Sequence, residues 1–507
     1  MAPDLTRGPR GPLLAAGVAA LGGLIAFNTA LVGGFYDDGL YAGLAIALGR
    51  GLGYVHPHLP GTPAAIHYPP LYPIVLAPLF ATLPVAAAAI AAKFLNVACS
   101  ALTAWLITRH AERTRLLGEA APPWLAPMLV GAAAVSIPAL TMGAVLFSEP
   151  LFGVLLALAV ISADRIPDQP RPYQAALIAG AIGALAVLAR SLGVALVVGI
   201  PLWLSVHRSR PLKHALVAVA PIMAAGLVWA WWTKAHTAGI DPAIRMNYGS
   251  YAEVIRVDGL RAFGRSAPDL LRPLGALMLG WLPSRPLYYL FGAAAAAVGV
   301  VGLTRVVARS SVGWTLVAYF AILAIWPYLP DRFVWAVLPW LALVWAAGAV
   351  HVYQSWRGLR IPLGVVSAVL AICFLIGETR GLIGQYWKTQ AQGISDNFRE
   401  LLPGLTDLPD RAVLASDDEA LIWLYQQRQS TVPFYIYSYR NGQEIQPTPA
   451  QHRAYLERQG VTHILFSGSG SGSDVELEAL MQAYPRWLDV VRRWPKGQAL
   501  LRVVHAP

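Results

Sequence analysis

Cysteine and charge are both scarce in this sequence. Of its 507 residues only two are cysteines, Cys99 and Cys373, and both fall inside apolar stretches. A pair so placed excludes a disulfide framework and a Cys-based metal centre. Charged residues make up 13% of the chain against 56% hydrophobic, which excludes an ordinary soluble protein of this length. A nucleotide-binding glycine loop is missing too, because Gly49-x-Gly51-x-Gly53 follows no strand. No internal repeat is visible, and the apolar stretches carry almost no charge, unlike transporters built from repeats around a polar midplane. The charge that exists is uneven: 38 Lys and Arg against 27 Asp and Glu, a net +11. In a soluble protein that excess would suggest nucleic acid. In so apolar a chain it marks loop topology and contact with the lipid bilayer, with no nucleic-acid partner.

What the chain has in abundance is runs long enough to cross a bilayer, about 17 to 25 residues. They lie near 12–34, 84–108, 125–146, 149–163, 174–190, 191–206, 215–233, 286–304, 312–328, 333–350 and 361–378. The first run is too long for a signal peptide and has no small-residue cleavage site before the acidic loop. With a cytoplasmic N-terminus bearing Arg7 and Arg10, the basic loops fall on one side: Arg109, Arg113 and Arg115; Arg165 and Arg171; Arg208, Arg210 and Lys213; Arg305 and Arg309; Arg357 and Arg360. That is the positive-inside pattern, although the long opposite loop, about 234–285, also holds arginines. An odd number of spans places the C-terminal region outside.

The region 385–507 is polar and lacks a spanning run. Its pattern alternates between strand-like Arg411–Ser416, Thr462–Phe466 and Leu500–Val504 and helix-like Asp418–Gln427, Pro449–Gln459 and Asp474–Tyr484. Ser416 or Asp417 is the expected cap of the first helix. The reading is a small α/β domain after a membrane domain of residues 1–384. Ser467–Ser473 reads as a flexible loop. Asp417-Asp418-Glu419 reads as a helix N-terminus, where acids oppose the dipole.

The chemistry concentrates in the first outer loop, 35–83. Asp37 and Asp38 directly follow the first apolar run, at the membrane rim. Leu40, Tyr41, Leu44, Ala45 and Leu48 repeat at helical spacing, which predicts a short amphipathic helix lying along the interface. Gly51 and Gly53 stop it. Then come His67-Tyr68-Pro69-Pro70-Leu71-Tyr72-Pro73, whose prolines interrupt regular helix. At outer span ends stand Glu149, Arg190 and Arg332. Arginines at a membrane edge are costly, and their planar, permanently charged donors suit a phosphate. In the long loop Arg245, Asn247, Tyr248 and Tyr251 could grip a phosphate or a sugar. His56, His58 and His67 share one loop and could hold a divalent metal, although His56-Pro57-His58 is poorly spaced for a rigid site.

Asp37-Asp38-x-x-Tyr41, Gly51-Leu52-Gly53-Tyr54, Pro69-Pro70-Leu71-Tyr72-Pro73, Ser148-Glu149-Pro150, Ala189-Arg190-Ser191 and Asp331-Arg332-Phe333 occur in that order. Together they resemble the GT-C glycosyltransferases, most closely the bacterial protein O-mannosyltransferase and lipid A aminoarabinose transferase superfamily. The likeness covers about residues 10–380. It implies a polytopic α-helical membrane protein of about eleven transmembrane helices with a small extracytoplasmic α/β domain. It implies transfer of a sugar from a polyprenyl-phosphate donor to a hydroxyl of a lipid, glycan or protein acceptor, on the outer face of the cytoplasmic membrane. Asp37 matches the family's catalytic base. Asp38 stands where relatives often have Glu and takes a supporting catalytic role. Tyr41, His67, Tyr68, Glu149, Arg190, Arg245, Tyr248 and Arg332 are the expected substrate-binding residues. Some GT-C enzymes use a metal and others do not. The competing reading is a transporter or flippase of lipid-linked sugars.

Overall fold

The computed structural model describes residues 10–206, 212–258, 261–326, 328–440, 443–468 and 472–504. Arg7, Arg208 and Arg210 of the basic loops, and residues 469–471 of the Gly/Ser run, lie outside them. Each of the eleven apolar stretches contains helix, although the first is helical only to Ala26 and the one at 312–328 only to Leu323. Among the described residues six helices are long and apolar enough to cross a bilayer: Val85–Arg113, Glu149–Asp168, Pro172–Ala189, Leu212–Gly239, Arg285–Val306 and Arg357–Leu405. Leu125–Ala134 and Ile137–Ala144, bent by 54°, would together make a seventh. Shorter apolar helices fill the remaining stretches, at Arg10–Ala26, Ser191–Val206, Ser311–Leu323 and Leu338–Ser355. The chain is a multi-pass membrane protein.

The bend at 134–137 has a sequence cause. Pro138 has no amide to continue the i→i−4 ladder, and Ser136 is extended. The Ile137 amide is satisfied instead by the Glu378 carboxylate at 2.7 Å, from Arg360–Gly384. Elsewhere small residues let helices approach backbone to backbone. A Cβ on Gly302 would stand 1.8 Å from the Val344 carbonyl, and one on Gly348 would stand 2.1 Å from the Val298 carbonyl. Arg285–Val306 and Leu338–Ser355 therefore pack by close van der Waals contact, the main attraction available between helices in lipid.

The helix after the acidic pair, Asp37–Gly49, corrects an expectation. It does not lie on the interface with one face free; Asp38 through Ala47 are all buried. The Leu40 and Tyr41 face packs on Leu71–Thr82. The small residues of the other face admit a helix of the C-terminal region, Glu419–Gln426: a Cβ on Gly39 would stand 3.0 Å from Ala420, and one on Gly43 would stand 4.0 Å from Trp423. Each fully buried Leu or Ile there contributes about 1.5–3 kcal/mol relative to exposure.

The C-terminal region carries a mixed five-stranded sheet in the order β2-β1-β5-β7-β6, with β1 Val413–Ser416, β2 Ser430–Pro433, β5 His463–Phe466, β6 Leu488–Arg493 and β7 Ala499–Val503. A β3 Ser438–Arg440 and β4 Gln443–Ile445 hairpin stands apart. β1 is parallel to β2 and β5, whereas β7 is antiparallel to β5 and β6. Helix Glu419–Gln426 starts from Asp418 without a side-chain cap, and the Asp417 carboxylate accepts the Tyr435 amide at 2.9 Å instead. The sheet unit is bolted to the first loop by backbone and side chain alike. The Thr431 amide donates to the His58 carbonyl at 2.8 Å, the Leu31 amide to Ser395 Oγ at 3.0 Å, and the Val32 amide to the Tyr425 hydroxyl at 3.0 Å. One apolar core runs through both, from Tyr41 and Tyr72 to Trp423 and Phe434.

Candidate functional site

The segment between Arg10–Ala26 and Asp37–Gly49 is held from inside the bundle. Lys93, 3% exposed, donates from Nζ to the Asn28 carbonyl, to Asn28 Oδ1 and to the Ala30 carbonyl, at 3.0, 3.0 and 3.1 Å. Gly33 follows with φ +110°, and a Cβ there would meet Leu421 at 2.6 Å, so only glycine fits. Phe35, Tyr36 and Asp37 then form a γ-turn. The Asp37 amide donates to the Phe35 carbonyl at 2.7 Å, and Tyr36 takes φ 62°, ψ −69°. That hand of γ-turn is rare and strained, more so at a bulky residue. The Asp38 carboxylate stabilises it by accepting the amides of Gly33, Phe35 and Gly39, each at 3.0 Å. Strained backbone persists only where its surroundings over-determine it, and it concentrates at functional sites. The residue presented by this turn is Asp37.

Asp37 meets three residues that lie far away in the chain. Glu149 begins one membrane helix, Arg190 ends another, and Arg332 lies in the short helix Asp331–Trp335. All three thus gather at one end of the bundle. The Arg332 guanidinium bridges both carboxylates, binding Asp37 Oδ2 through Nη1 and Glu149 through Nε and Nη2. Arg190 Nη1 pairs with Glu149 at 2.8 Å and donates to Ser148 Oγ at 3.2 Å. Ser148 in turn is 3.1 Å from the Tyr41 hydroxyl. Tyr68 donates its hydroxyl to Asp37 Oδ1 at 2.6 Å. Arg332 lies 3.6 Å over the Phe147 ring, and Arg190 lies 5.1 Å over the Phe333 ring. Glu149 and Arg190 are 2% and 9% exposed, whereas Asp37 and Arg332 are 23% and 25% exposed. The two outer members face an approachable space.

The quartet is electrically neutral: two carboxylates, two guanidiniums. Burial raises the Asp37 carboxyl, but Arg332 and the Tyr68 hydroxyl outweigh it, and the net direction is below the usual carboxylate range. Asp37 is therefore ionised at neutral pH, with both oxygens engaged. Arg272, which drew no notice in the sequence, adds a second ion pair alongside by binding Asp331.

The remaining expected residues divide. His67 stands beside the quartet, its Nδ1 on the Gly249 carbonyl at 2.6 Å and its ring 4.3 Å from that of Tyr251. Arg245 pairs with Glu253 at 3.9 Å inside the long loop. Asn247 accepts the Tyr437 hydroxyl at 2.9 Å. Tyr248 belongs to a different buried chain. Its hydroxyl donates to Glu419 at 2.5 Å and accepts from His58 Nε2 at 2.8 Å. The three histidines do not form a metal site together: among the described residues no three His, Cys, Asp or Glu come together as a ligand set.

Glu419 stands in the first turn of its helix, as the sequence suggests, but faces inward. It is 0% exposed, and burial pushes its carboxyl up to about 8. A folded-state value above the ordinary one means that its contribution to stability is full below about 4.5 and is lost as pH rises through about 8. The melting temperature of the full chain is therefore expected to fall as pH rises from about 4.5 to about 8. Glu419→Gln should reduce that slope without abolishing it, because Glu476, also raised to about 8 by burial, titrates in the same window. An unchanged slope in the variant would show that Glu419 is ionised in the folded protein.

No family sequence model and no curated protein matches the chain. Solved structures do. ArnT from Cupriavidus metallidurans in the apo state superposes with a TM-score of 0.55 at 14% identity, covering 96% of this chain and 97% of that one. The archaeal oligosaccharyltransferase AglB from Archaeoglobus fulgidus, in complex with an inhibitory peptide and a dolichol-phosphate, gives a TM-score of 0.51 at 12% identity, over 98% of this chain and 74% of that one. The same enzyme tethered to an acceptor peptide containing the NVT sequon gives 0.51 at 11% identity, over 97% and 74%.

Proposed function

The chain has the GT-C fold, and from that premise we propose that it is an integral-membrane glycosyltransferase that moves a sugar from a polyprenyl-phosphate donor to an acceptor hydroxyl. The observation that carries this reading is the bridged quartet: an ionised carboxylate on a strained turn, tied to guanidiniums that suit a phosphate. One of the structural neighbours is in complex with an inhibitory peptide and a dolichol-phosphate, and another is tethered to an acceptor peptide; a lipid phosphate and an acceptor are the two ligands this reading requires.

The neutral quartet suggests how the chemistry is kept in order. A donor phosphate competes with Asp37 for Arg332, because Glu149 already holds Arg332 and Arg190 on the inner side. Arg332 then turns from Asp37 to the phosphate, and Asp37 loses the partner that kept its basicity low. The acceptor hydroxyl attacks the anomeric carbon, its proton passes to Asp37, and the carbon–oxygen bond to phosphate breaks with both electrons leaving on the phosphate. The two guanidiniums stabilise that growing charge. Base and leaving group on opposite faces of the sugar give inversion. Asp38, Lys93 and Tyr68 hold the Asp37 turn in place.

We place this end of the bundle outside the cytoplasmic membrane, following the basic loops at the other end. With Cys99 and Cys373 replaced, cysteines at Leu52 and Val475 are expected to react with an impermeant thiol reagent in cells whose outer barrier is opened, and one at Glu119 is not. The reverse pattern would invert the topology. The activity itself is tested with purified protein in vesicles, offered a panel of polyprenyl-phosphate sugars and assayed by mass spectrometry for released polyprenyl phosphate. Envelope lipids, glycans and proteins compared with and without the gene would reveal the acceptor. No donor consumed and no envelope hydroxyl losing a sugar would sink the proposal.

A further inference from the structure

Far from the quartet the helices that carry Lys93 and Glu149 end in a second charged feature. Glu149 and Arg165 are the first and last residues of one helix, so they stand about 24 Å apart at 1.5 Å per residue. There the last turns of Val85–Arg113 and Glu149–Arg165 enclose a cleft of about 400 Å³. Arg109, Arg113 and Arg165 line its rim, and Arg165 feels the like charge of the other two. Three cations crowded together repel one another unless an anion joins them.

Among the described residues no carboxylate is paired with these three arginines. Asp164, the acid deepest in the cleft, is committed elsewhere: its carboxylate accepts the Ser311 amide at 2.7 Å and lies 3.0 Å from His110 Nε2. Asp168, at the edge, forms no ion pair with any of the three arginines among the described residues. Arg109 lies 4.8 Å over the Trp105 ring, which fixes its guanidinium over the cleft wall. Arg113 and Arg165 have no hydrogen-bond or ion-pair partner among the described residues.

The shape adds what charge alone leaves open. Towards the bundle the wall turns apolar, through Trp105, Leu158 and Ile161. A cationic rim over an apolar wall matches a molecule with a phosphate head and a hydrocarbon body, and matches inorganic phosphate poorly. We propose that this cleft binds the headgroup of an anionic phospholipid, with Arg109, Arg113 and Arg165 around the phosphate and the first acyl carbons against Leu158 and Ile161. The site is separate from the quartet and does not rest on the glycosyltransferase reading.

The test uses the full purified chain in detergent, with phosphatidylglycerol titrated in and bound lipid counted by native mass spectrometry. Each arginine near an anionic headgroup is worth a factor of about five in binding, so Arg113→Gln with Arg165→Gln should weaken phosphatidylglycerol binding by about 30-fold. Arg165→Lys keeps the charge and should retain most of the binding, which separates lost charge from lost folding. Arg305→Gln, which removes a basic residue that contacts His351 instead, should leave it unchanged. Phosphatidylglycerol retained equally by the double variant, or phosphatidylcholine bound as tightly as phosphatidylglycerol by the wild type, would overturn the proposal. So would protection from unfolding by inorganic phosphate equal to that by phosphatidylglycerol at the same concentration, since that identifies a free-phosphate site.

Discussion

Asp37→Asn is expected to leave the protein folded and to lower the rate of sugar transfer by about 10²–10⁴. The substitution preserves size, and the new side-chain oxygen can still accept the Tyr68 hydroxyl that Asp37 accepts at 2.6 Å. Arg332 loses one carboxylate but keeps Glu149. Nothing in the fold therefore depends on the negative charge of residue 37, whereas proton removal from the acceptor depends on it entirely. The loss should appear in kcat, with the KM for donor nearly constant or lower, because Arg332 is no longer shared. Asp38→Asn should behave differently. An amide cannot replace a carboxylate that accepts three backbone N–H groups, so its loss should show in melting temperature as well as in rate. The pH profile gives a further check. Arg332 and Tyr68 hold the Asp37 carboxyl below its usual range, so the rate of transfer by the wild type should change little across neutral pH and fall only in acid, where the base is protonated. An Asp37→Asn enzyme that transfers sugar at near wild-type rate would show that another group takes the proton.

How much of this was legible in the sequence depends on how local each feature is. Apolar runs dictate helices through their own composition, and each of the eleven contains one. The break after Ala134 was hidden because Pro138 sits inside a continuous apolar run, and only Glu378, 241 residues away, makes the freed Ile137 amide acceptable. The helix Asp37–Gly49 was misplaced for a related reason. Its Leu40, Tyr41 and Leu44 face announced one buried side, but Gly39, Ala42 and Gly43 on the other side gave no apolar signal. Their smallness is what admits Glu419–Gln426, a partner almost 400 residues on. In the C-terminal region β1, β5 and β7 were visible as apolar runs, whereas β6 alternates with charges and β2 is short and ends in proline. The site itself was legible as an ordered set of motifs: Asp37, Glu149, Arg190 and Arg332 do meet. What spacing could not convey was the bonding among them. Tyr68 caps Asp37, Ser148 links Tyr41 to Arg190, and Tyr248 turns to Glu419 while Arg245 stays within its own loop.

Arg332→Gln is expected to reduce kcat for transfer by about 10²–10³, the usual cost of removing a donor aimed at developing negative charge. Among the described residues Arg332 alone bonds to both carboxylates. Glutamine can donate to one of them but carries no charge to offer the phosphate. Folding should survive, since Glu149 keeps Arg190 at 2.8 Å and Asp37 keeps Tyr68. Lysine restores the charge but not the geometry. One ammonium cannot span Asp37 and Glu149 as the planar guanidinium does, nor lie flat over Phe147, so Arg332→Lys should recover less than a tenth of wild-type activity. The double variant Asp37→Asn, Arg332→Gln separates this account from a purely structural one. If Arg332 works by passing from Asp37 to the phosphate, the two residues act as a unit, and the double variant should lose far less than the product of the single losses. Independent losses that multiply would mean that the Asp37–Arg332 bond is incidental to turnover. Full activity in Arg332→Gln would reduce this arginine to a headgroup contact and leave Arg190 as the residue that receives the phosphate.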